Sequence, residues 1–326
     1  MKAIVQDEYG SADVLRFEDV EKPAVGENDV LVRVHAAGSG PDVWHIMEGK
    51  PYIARPTLGF RRPKVRVRGG DVAGTVDAVG TAVTGFKPGD EVMGFASSGS
   101  FAEFAVVPLN KLAMKPARLS FEEAAAVPIA GTTGFRAVRE AADVRPGQTV
   151  LVVGAAGGVG SFAVQVAKAF GAEVTGVAST SKLDLVRSLG ADEVIDYTRQ
   201  DFTAGARRWD VIIDTAGRRP LPQLRRALTP TGTLVIVGGD GGGPVTGGFL
   251  RGVLRAPLVS LFVRQKLMGL STKERAEDLR AVNEMIEAGK VRPVIDRTYS
   301  LVEAPDAVRF LAEGHPSGKI VISVIR

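Results

Sequence analysis

Four glycines, at 154, 157, 158 and 160, stand between an apolar run and a helix-forming run, and their spacing suggests chemistry. Val150-Leu151-Val152-Val153 reads as a buried strand and Gly154-Ala155-Ala156-Gly157-Gly158-Val159-Gly160 as a tight turn. Residues 161–170 read as a helix stopped by Gly171, and Glu173-Val174-Thr175-Gly176-Val177-Ala178 as a second strand. Such a strand–helix–strand unit takes about thirty residues. Glycines without a Cβ let the backbone turn sharply and approach a pyrophosphate. The helix N-terminus, with unpaired N–H groups and a favourable dipole, then holds the anion. The motif therefore points to a dinucleotide.

The end of the second strand bears on which dinucleotide. A unit that binds NAD usually carries an Asp or Glu about 20 residues on, to hydrogen-bond the ribose 2′-hydroxyl. Here the strand runs into Ser179-Thr180-Ser181-Lys182, with no acid along the chain until Asp184. Hydroxyls and an ammonium suit a 2′-phosphate, which a carboxylate would repel. The expected cofactor is NADPH. Ser179 could also serve as the cap of a helix over residues 182–189, a role compatible with holding phosphate.

Composition narrows the remaining classes. The 326 residues suit two domains, and a hydrophobic fraction of 45% with 24% charged is that of a globular protein. The net charge of +4 is small, and the cluster Arg61, Arg62, Lys64, Arg66 and Arg68 has little aromatic interleaving, which argues against nucleic acid. Arg251, Arg255 and Arg264 interrupt the best membrane-span candidate, and the first residues, Met1-Lys2-Ala3-Ile4-Val5, read as a strand rather than a signal peptide. A cytoplasmic location is expected. With no cysteine there is no disulfide, thiolate nucleophile or cysteine-ligated zinc. His35, His45 and His315 show no spacing of a ligand pair on one helix face, so no metal is expected.

The elements that must position the glycine turn fall into two groups. Short alternating segments at residues 3–5, 29–35, 71–79, 91–95 and 102–108, divided by turn signals such as Pro88-Gly89-Asp90, suit a small β-barrel. From Ser120, which with Glu123 forms a capping-box pattern, helices over 121 onwards and 132–142 lead into strands at 150–153, 173–177, 193–195, 210–214 and 233–237. That alternation predicts a parallel, doubly wound α/β sheet, with residues 263–270 as a sixth strand. Gly238-Gly239-Asp240-Gly241-Gly242-Gly243 follows a strand at the sheet's ligand-binding edge. Residues 274–288 pattern as an amphipathic helix and 304–313 as another, between strands at 291–301 and 319–325. The expected division is residues 1–120 with 291–326 in one discontinuous domain, and 121–290 in the other.

Several motifs occur together and in order. They are Gly69-Gly70-Asp71-Val72-Ala73-Gly74, Phe86-Lys87-Pro88-Gly89-Asp90-Glu91-Val92, the 154–160 turn, Leu189-Gly190-Ala191-Asp192-Glu193-Val194-Ile195-Asp196-Tyr197 and Gly318-Lys319-Ile320-Val321. In these the chain resembles the medium-chain dehydrogenase/reductase superfamily, specifically its zinc-independent, quinone-oxidoreductase-like branch. The resemblance implies a GroES-like β-barrel catalytic domain, a Rossmann domain, NADPH between them and a homodimer joined through the Rossmann sheets. Zinc-dependent relatives carry an early Cys, and Gly-His-Glu where this chain has Gly70-Asp71-Val72. Zinc-free relatives often carry Asn-Pro-x-Asp where this chain reads Gly40-Pro41-Asp42-Val43, so the Asn is Gly40 and the acid is displaced by one position. Carried over residue by residue, Ala156, Gly157, Gly158, Val159 and Gly160 would take the pyrophosphate. Ser179 and Lys182 would take the 2′-phosphate, and Tyr197 would lie beside the adenosine. Thr133 would lie near the pyrophosphate or nicotinamide, Gly238 and Gly239 would border the nicotinamide ribose, and Lys319 would approach from the tail.

The missing zinc constrains the reaction. Hydride transfer to an ordinary ketone develops alkoxide charge that a metal stabilises as a Lewis acid. Without one, the expected acceptors are already electrophilic: quinones, or enones taking hydride at the β-carbon. Orientation, one or two donors and a dry cleft then suffice. Tyr52, in Gly49-Lys50-Pro51-Tyr52, is the candidate donor to the acceptor oxygen, ahead of His45 and Asp42. An acyl-type enoyl reductase, or a low-turnover NADPH-binding sensor, is the alternative.

Overall fold

The computed structural model describes residues 1–238, 245, 255–271, 273–314 and 316–325, and for Glu313 only the backbone. The chain divides into two compact units. One comprises Met1–Thr132, Glu274–Ala288 and Pro293–Arg326, the other Thr133–Lys273 and Gly289–Arg292.

In the first unit, β1 (Lys2–Val5) pairs with β2 (Arg16–Asp19), and β3 (Asp29–Ser39) is the organising strand. It is followed by α1 (Pro41–Glu48), α2 (Arg55–Leu58), β4 (Asp71–Val79), β5 (Glu91–Phe95), β6 (Phe104–Pro108) and β7 (Leu112–Met114). Eleven residues long, β3 pairs β4 along most of its length, β6 over Asp29 to Arg33 and β15 (Lys319–Ser323) over Ala36 to Ser39. The register with β4 shifts between Val34 and Ala36, the kind of irregularity that bends a strand and lets one strand serve two groups of neighbours. The sheet order is β14–β15–β3–β4–β5–β7 with β6 beside β3, where β14 is Ile295–Ser300. Val30, Val32, Val34, Val72, Val92, Phe101, Leu112 and Ile320 meet in its core. The α1 helix was not anticipated in the sequence. Pro41 opens it with φ preset, and Gly49, left-handed at φ 63°, ends it.

After α3 (Phe121–Ala125) and α4 (Pro128–Arg136), the second unit contains β8 (Thr149–Val153), α5 (Gly158–Ala169), β9 (Glu173–Ala178), α6 (Leu183–Ser188), β10 (Glu193–Asp196) and β11 (Trp209–Asp214). It continues with α7 (Leu221–Arg226), β12 (Leu228–Ile236), α8 (Ala256–Ser260) and β13 (Lys266–Gly269). All pairings are parallel, in the order β10–β9–β8–β11–β12–β13. This is the doubly wound order, reversing direction at β8 and so creating a switch point between β8 and β11. Residues of β8 are nearly all buried and apolar, as a strand covered on both faces requires.

Three boundaries differ from the expected ones. The compact unit built on β3 runs on to Thr132 rather than ending at residue 120. It also takes back α9 (Ala276–Glu287), which the sequence division placed with the doubly wound sheet. The helix is held to β7 and the segment after it: Asn283 Nδ2 donates to the Met114 carbonyl at 2.8 Å, Arg118 to Ile286 and Glu287 carbonyls, and Glu287 accepts from Ala117 N. Periodicity shows that a helix is amphipathic but not which core its apolar face meets. The expected 132–142 helix is instead α4 ending in a π turn over Ala137–Ala141. The last helix, α10 (Ala304–Glu313), packs in the first unit through Ala304, Ala307 and Val308.

Candidate functional site

In the second unit the glycine turn sits at the carboxyl end of β8. Gly154 adopts φ 81°, which favours glycine, and its N–H bonds Val177 of β9. Gly157 is the extended N-cap of α5, so the N–H groups of Gly158, Val159 and Gly160 form the helix's first turn. These are donors without partners inside the helix. A Cβ on Gly160 would collide with the Gly154 carbonyl. The turn is therefore sealed on its inner side by backbone. Its helix starts at Gly158, earlier than the sequence suggested, because the glycines belong to the first helical turn.

Around it the ends of the neighbouring strands converge. Tyr197 N bonds the carbonyl of Ala178, the last residue of β9, and the Tyr197 side chain is half exposed. Ser179 opens a 3₁₀ turn over Thr180–Lys182 without capping it through its side chain, and Lys182 precedes α6. The structure thus brings Ser179, Lys182 and Tyr197 to one corner. It also places there an acid that sequence spacing missed. Asp196, the last residue of β10, lies in register with Ala178. Its oxygens accept from the Thr180 hydroxyl at 2.5 Å and from the Thr198 hydroxyl and N–H, which keep its carboxyl below the ordinary range and therefore ionised. Across the switch point, Thr215 Oγ1 donates to the Val153 carbonyl at 2.8 Å, and a Cβ on Gly238 would collide with the Thr215 carbonyl. Asp214 is buried, with Oδ1 accepting from Ala216 and Gly217 N–H, and burial raises its pKa to about 6. Thr133 is buried in α4, and Gly239 and the rest of its glycine run lie outside the described residues.

The first unit holds the remaining candidates. Tyr52 lies on a short 3₁₀ turn, Tyr52–Ala54, 43% exposed, with the Arg55 guanidinium 4.6 Å from its ring centroid and 4.8 Å from that of Tyr9. His45 and Asp42 lie on α1. His35 stacks on Phe121 at 4.0 Å, and burial lowers its pKa, a packing role; His315 lies outside the described residues. Lys319 is buried, and its Nζ lies 3.1 Å from Asp71 Oδ2. Asp71, equally buried, accepts a second bond from Ile129 N at 3.1 Å. Burial, with Asp42 nearby, raises its pKa to about 6 against the pull of Lys319. The pair joins residues 248 apart in sequence.

The alcohol dehydrogenase GroES-like domain matches residues 26–117, and the zinc-binding dehydrogenase family matches residues 189–322. Over its full length the chain is 38% identical to a 2-methylene-furan-3-one reductase of Solanum lycopersicum, of which it covers 79%. It is 34% identical to an NADPH-dependent alkenal/one oxidoreductase, chloroplastic, of Arabidopsis thaliana over 99% of this chain and 79% of that one. The quinone oxidoreductase structure from Coxiella burnetii superposes over 100% of this chain and 99% of its own with a TM-score of 0.86 at 31% identity. The chain belongs to the medium-chain dehydrogenase/reductase superfamily, in its quinone-oxidoreductase-like branch.

Within that family the described residues have a particular character. One family description names zinc, yet this chain has no cysteine, and among the described residues no group of three or more His, Asp or Glu could hold a metal ion. No helix of the described residues is long and apolar enough to cross a membrane. Asp71, where zinc-dependent relatives have Gly-His-Glu, faces a lysine ammonium instead. The sequence signal for that pair was present in two separate motifs, Gly70-Asp71 and Gly318-Lys319, but nothing in either indicated that they meet.

Proposed function

We propose that this oxidoreductase binds NADPH in preference to NADH and reduces an activated acceptor, a quinone or an α,β-unsaturated carbonyl, without zinc. The observation that carries the reading is the corner at the ends of β8, β9 and β10. A helix N-terminus sealed by Gly154 and Gly160 stands beside Ser179, Lys182 and Tyr197. The turn suits a dinucleotide, because a Cβ on Gly154 or Gly160 would collide with Thr215 Oγ1 or the Gly154 carbonyl, so glycine alone permits this tight backbone with its helix N–H groups presented. Gly158, Val159 and Gly160 N–H, with Ala156 and Gly157 beside them, would hold the pyrophosphate. Ser179 Oγ and Lys182 Nζ would hold the 2′-phosphate, with Tyr197 beside the adenosine. Thr133 and the backbone of Gly238 and Gly239 would border the nicotinamide end. When bound, the reduced nicotinamide supplies the hydride.

Asp196 bears on cofactor choice. A free carboxylate here would favour a ribose hydroxyl, but each of its oxygens accepts from a threonine hydroxyl, and Arg199 Nε lies 3.7 Å from Oδ2. The chain has no cysteine, and among the described residues no group of three or more His, Asp or Glu could hold zinc, which supports leaving the orientation of the acceptor and the proton to the chain's own groups. The relatives named above act on enone-type substrates and quinones, which need least help to accept hydride. The proposed homodimer forms through β13, the edge strand of the parallel sheet. Leu258, Leu261 and Phe262 are exposed beside it (Phe262 by 86%), an apolar surface that pairing would cover.

Titration of the purified protein with NADPH and NADH, followed by NADPH oxidation against a panel of quinones and enones, tests the reading. NADPH is expected to bind at least tenfold more tightly. Equal affinities would overturn the cofactor assignment, and binding without turnover of any acceptor would favour the sensor alternative.

A further inference from the structure

Between Glu48 and Asp71 the chain carries seven cationic side chains and not one carboxylate. Three of the seven are neutralised or withdrawn: Lys50 pairs with Glu48, Arg66 with Asp7 and Glu18, and Arg68 is buried. Arg55 turns inward, its guanidinium over the Tyr9 and Tyr52 rings and its Nε donating to the Gly49 carbonyl at 3.1 Å. Arg61, Arg62 and Lys64 are left exposed, and among the described residues neither Arg61 nor Arg62 has a side-chain partner. They sit on a small closed tip of the first unit. Lys64 N donates to the Leu58 carbonyl at 2.8 Å and ties off Gly59-Phe60-Arg61-Arg62-Pro63. Gly59, buried and at φ 120°, makes the turn: a Cβ there would collide with the Arg62 carbonyl, and its own carbonyl accepts from the Tyr9 hydroxyl at 2.6 Å. The backbone is pinned, and the tip presents Phe60, 72% exposed, beside the two free guanidiniums. Ile53, 54% exposed, stands on the adjoining 3₁₀ turn, and half-exposed Val65 follows the tip in sequence.

An aromatic ring held out in water adds little to any core, and a pinned loop that displays one among free cations marks a contact surface. An anionic bilayer accepts both kinds of group. Apolar side chains enter the boundary between headgroups and acyl chains, while Arg and Lys stay with the phosphates. Single-stranded nucleic acid would call for flat rings on which bases stack. Here Ile53 and Val65 are aliphatic, and the Tyr52 ring lies against Arg55. We propose that residues 53–65 dock the protein on an anionic lipid bilayer, with Phe60 and Ile53 entering the interface and Arg61, Arg62 and Lys64 meeting the headgroups. No spanning helix is needed, since the chain lies on the surface. The docking stands on this segment alone. One consequence rests on the proposed function: quinones and enones with apolar tails collect in bilayers, so a docked reductase meets its acceptor at the membrane surface.

Sedimentation with vesicles of equal parts phosphatidylglycerol and phosphatidylcholine, against vesicles of phosphatidylcholine alone, tests the docking. The protein is expected to bind the mixed vesicles, at least about tenfold more weakly the neutral ones, and to be released as salt screens the headgroups. Arg61→Gln/Arg62→Gln is expected to weaken binding by about twentyfold, at about fivefold per cation. Phe60→Ser is expected to cost roughly tenfold, as for an apolar side chain that no longer enters the interface. The three residues are exposed, so circular dichroism is expected to show both variants folded. Wild type that ignores the mixed vesicles, binds neutral vesicles equally, or binds no better than the variants overturns the proposal. Capture of a single-stranded oligonucleotide in place of vesicles, weakened in the same variants, would give the tip to nucleic acid instead. Turnover separates the two layers. Against a long-chain quinone dissolved in mixed vesicles the double variant is expected to lose at least about fivefold, and with a short-chain soluble quinone to match wild type. Equal rates on the vesicle quinone overturn delivery of the acceptor through the bilayer. No turnover of either quinone by wild type overturns the proposed function, and the sedimentation result alone then decides the docking.

Discussion

The glycine turn of the second unit and the Lys319–Asp71 pair of the first are built in opposite ways. The turn presents backbone alone: a glycine-lined helix N-terminus, residues adjacent in sequence, no charged side chain in its first turn. The pair joins side chains from β15 and β4, 248 residues apart. Backbone chemistry is local and can be read in a short stretch of sequence. Side-chain chemistry assembled by a sheet cannot, because it depends on which strands become neighbours.

The difference explains what was legible. The parallel sheet, its sixth strand and the strand–glycine turn–helix unit followed from glycine spacing and apolar runs. Asp196 was missed because it reaches the end of β9 laterally, through β10, whereas counting along the chain from Gly154 finds only Asp184. Lys319 was seen as a motif residue approaching the cofactor from the tail. Its buried partner came from β4, and the pairing of both strands to β3 brings the two together. The allegiance of α9 was also hidden, since its apolar stripe fits either core and only polar bonds to Met114 and Ala117 decide.

The largest expected effect tests the backbone half of the comparison. Gly160→Val puts a branched side chain against the Gly154 carbonyl, which cannot move without breaking the turn. NADPH affinity is expected to fall more than a hundredfold, while circular dichroism retains the parallel-sheet unit. A variant that binds NADPH normally would show that the turn does not take the pyrophosphate.

Next in size is Asp214, on the strand beside the turn. Its carboxyl is raised from 3.8 to about 6 by burial, so the folded protein holds that proton more tightly than the unfolded chain. The stability this contributes is full below about pH 4 and is lost as pH rises through 6, a difference on the order of 3 kcal/mol. Asp214→Asn keeps the oxygen that accepts from Ala216 and Gly217 N–H and removes the charge. Urea unfolding is expected to show the variant more stable than wild type by up to that amount at pH 8, and equal to it at pH 4. A variant less stable at pH 8 would mean that the carboxylate has a partner worth more than its desolvation.

A smaller effect is expected at Lys182, where the second unit turns from backbone to side-chain recognition. Lys182→Ala should weaken NADPH by roughly 1.5–3 kcal/mol, a charge-assisted contact, and leave NADH nearly unchanged. Equal loss for both cofactors would place Lys182 on the shared pyrophosphate or in the fold. Asp196 sharpens the same test. With one of its two threonine hydroxyls removed by Thr180→Ala, the carboxylate oxygen Oδ2 should shift preference toward NADH by a few-fold.

The smallest expected effect concerns Tyr52 in the first unit. Tyr52 was the donor suggested by sequence, an aromatic hydroxyl on a segment following the barrel strands. Its ring lies against the Arg55 guanidinium, which also covers Tyr9, so the aromatic face has a packing role that phenylalanine retains. With that packing role kept, Tyr52→Phe removes only an accessory hydroxyl and should lower enone reduction by less than about threefold, well under the range of a lost general acid. Tyr52→Ala, which also removes the ring from Arg55, should cost more than Tyr52→Phe, because a cation–π contact at a half-exposed site is worth about 0.5–1 kcal/mol. A Tyr52→Phe variant slowed by tenfold to a few hundredfold would instead make the half-exposed phenol the donor to the acceptor oxygen, and the ring's contact with Arg55 would be what holds that hydroxyl in place.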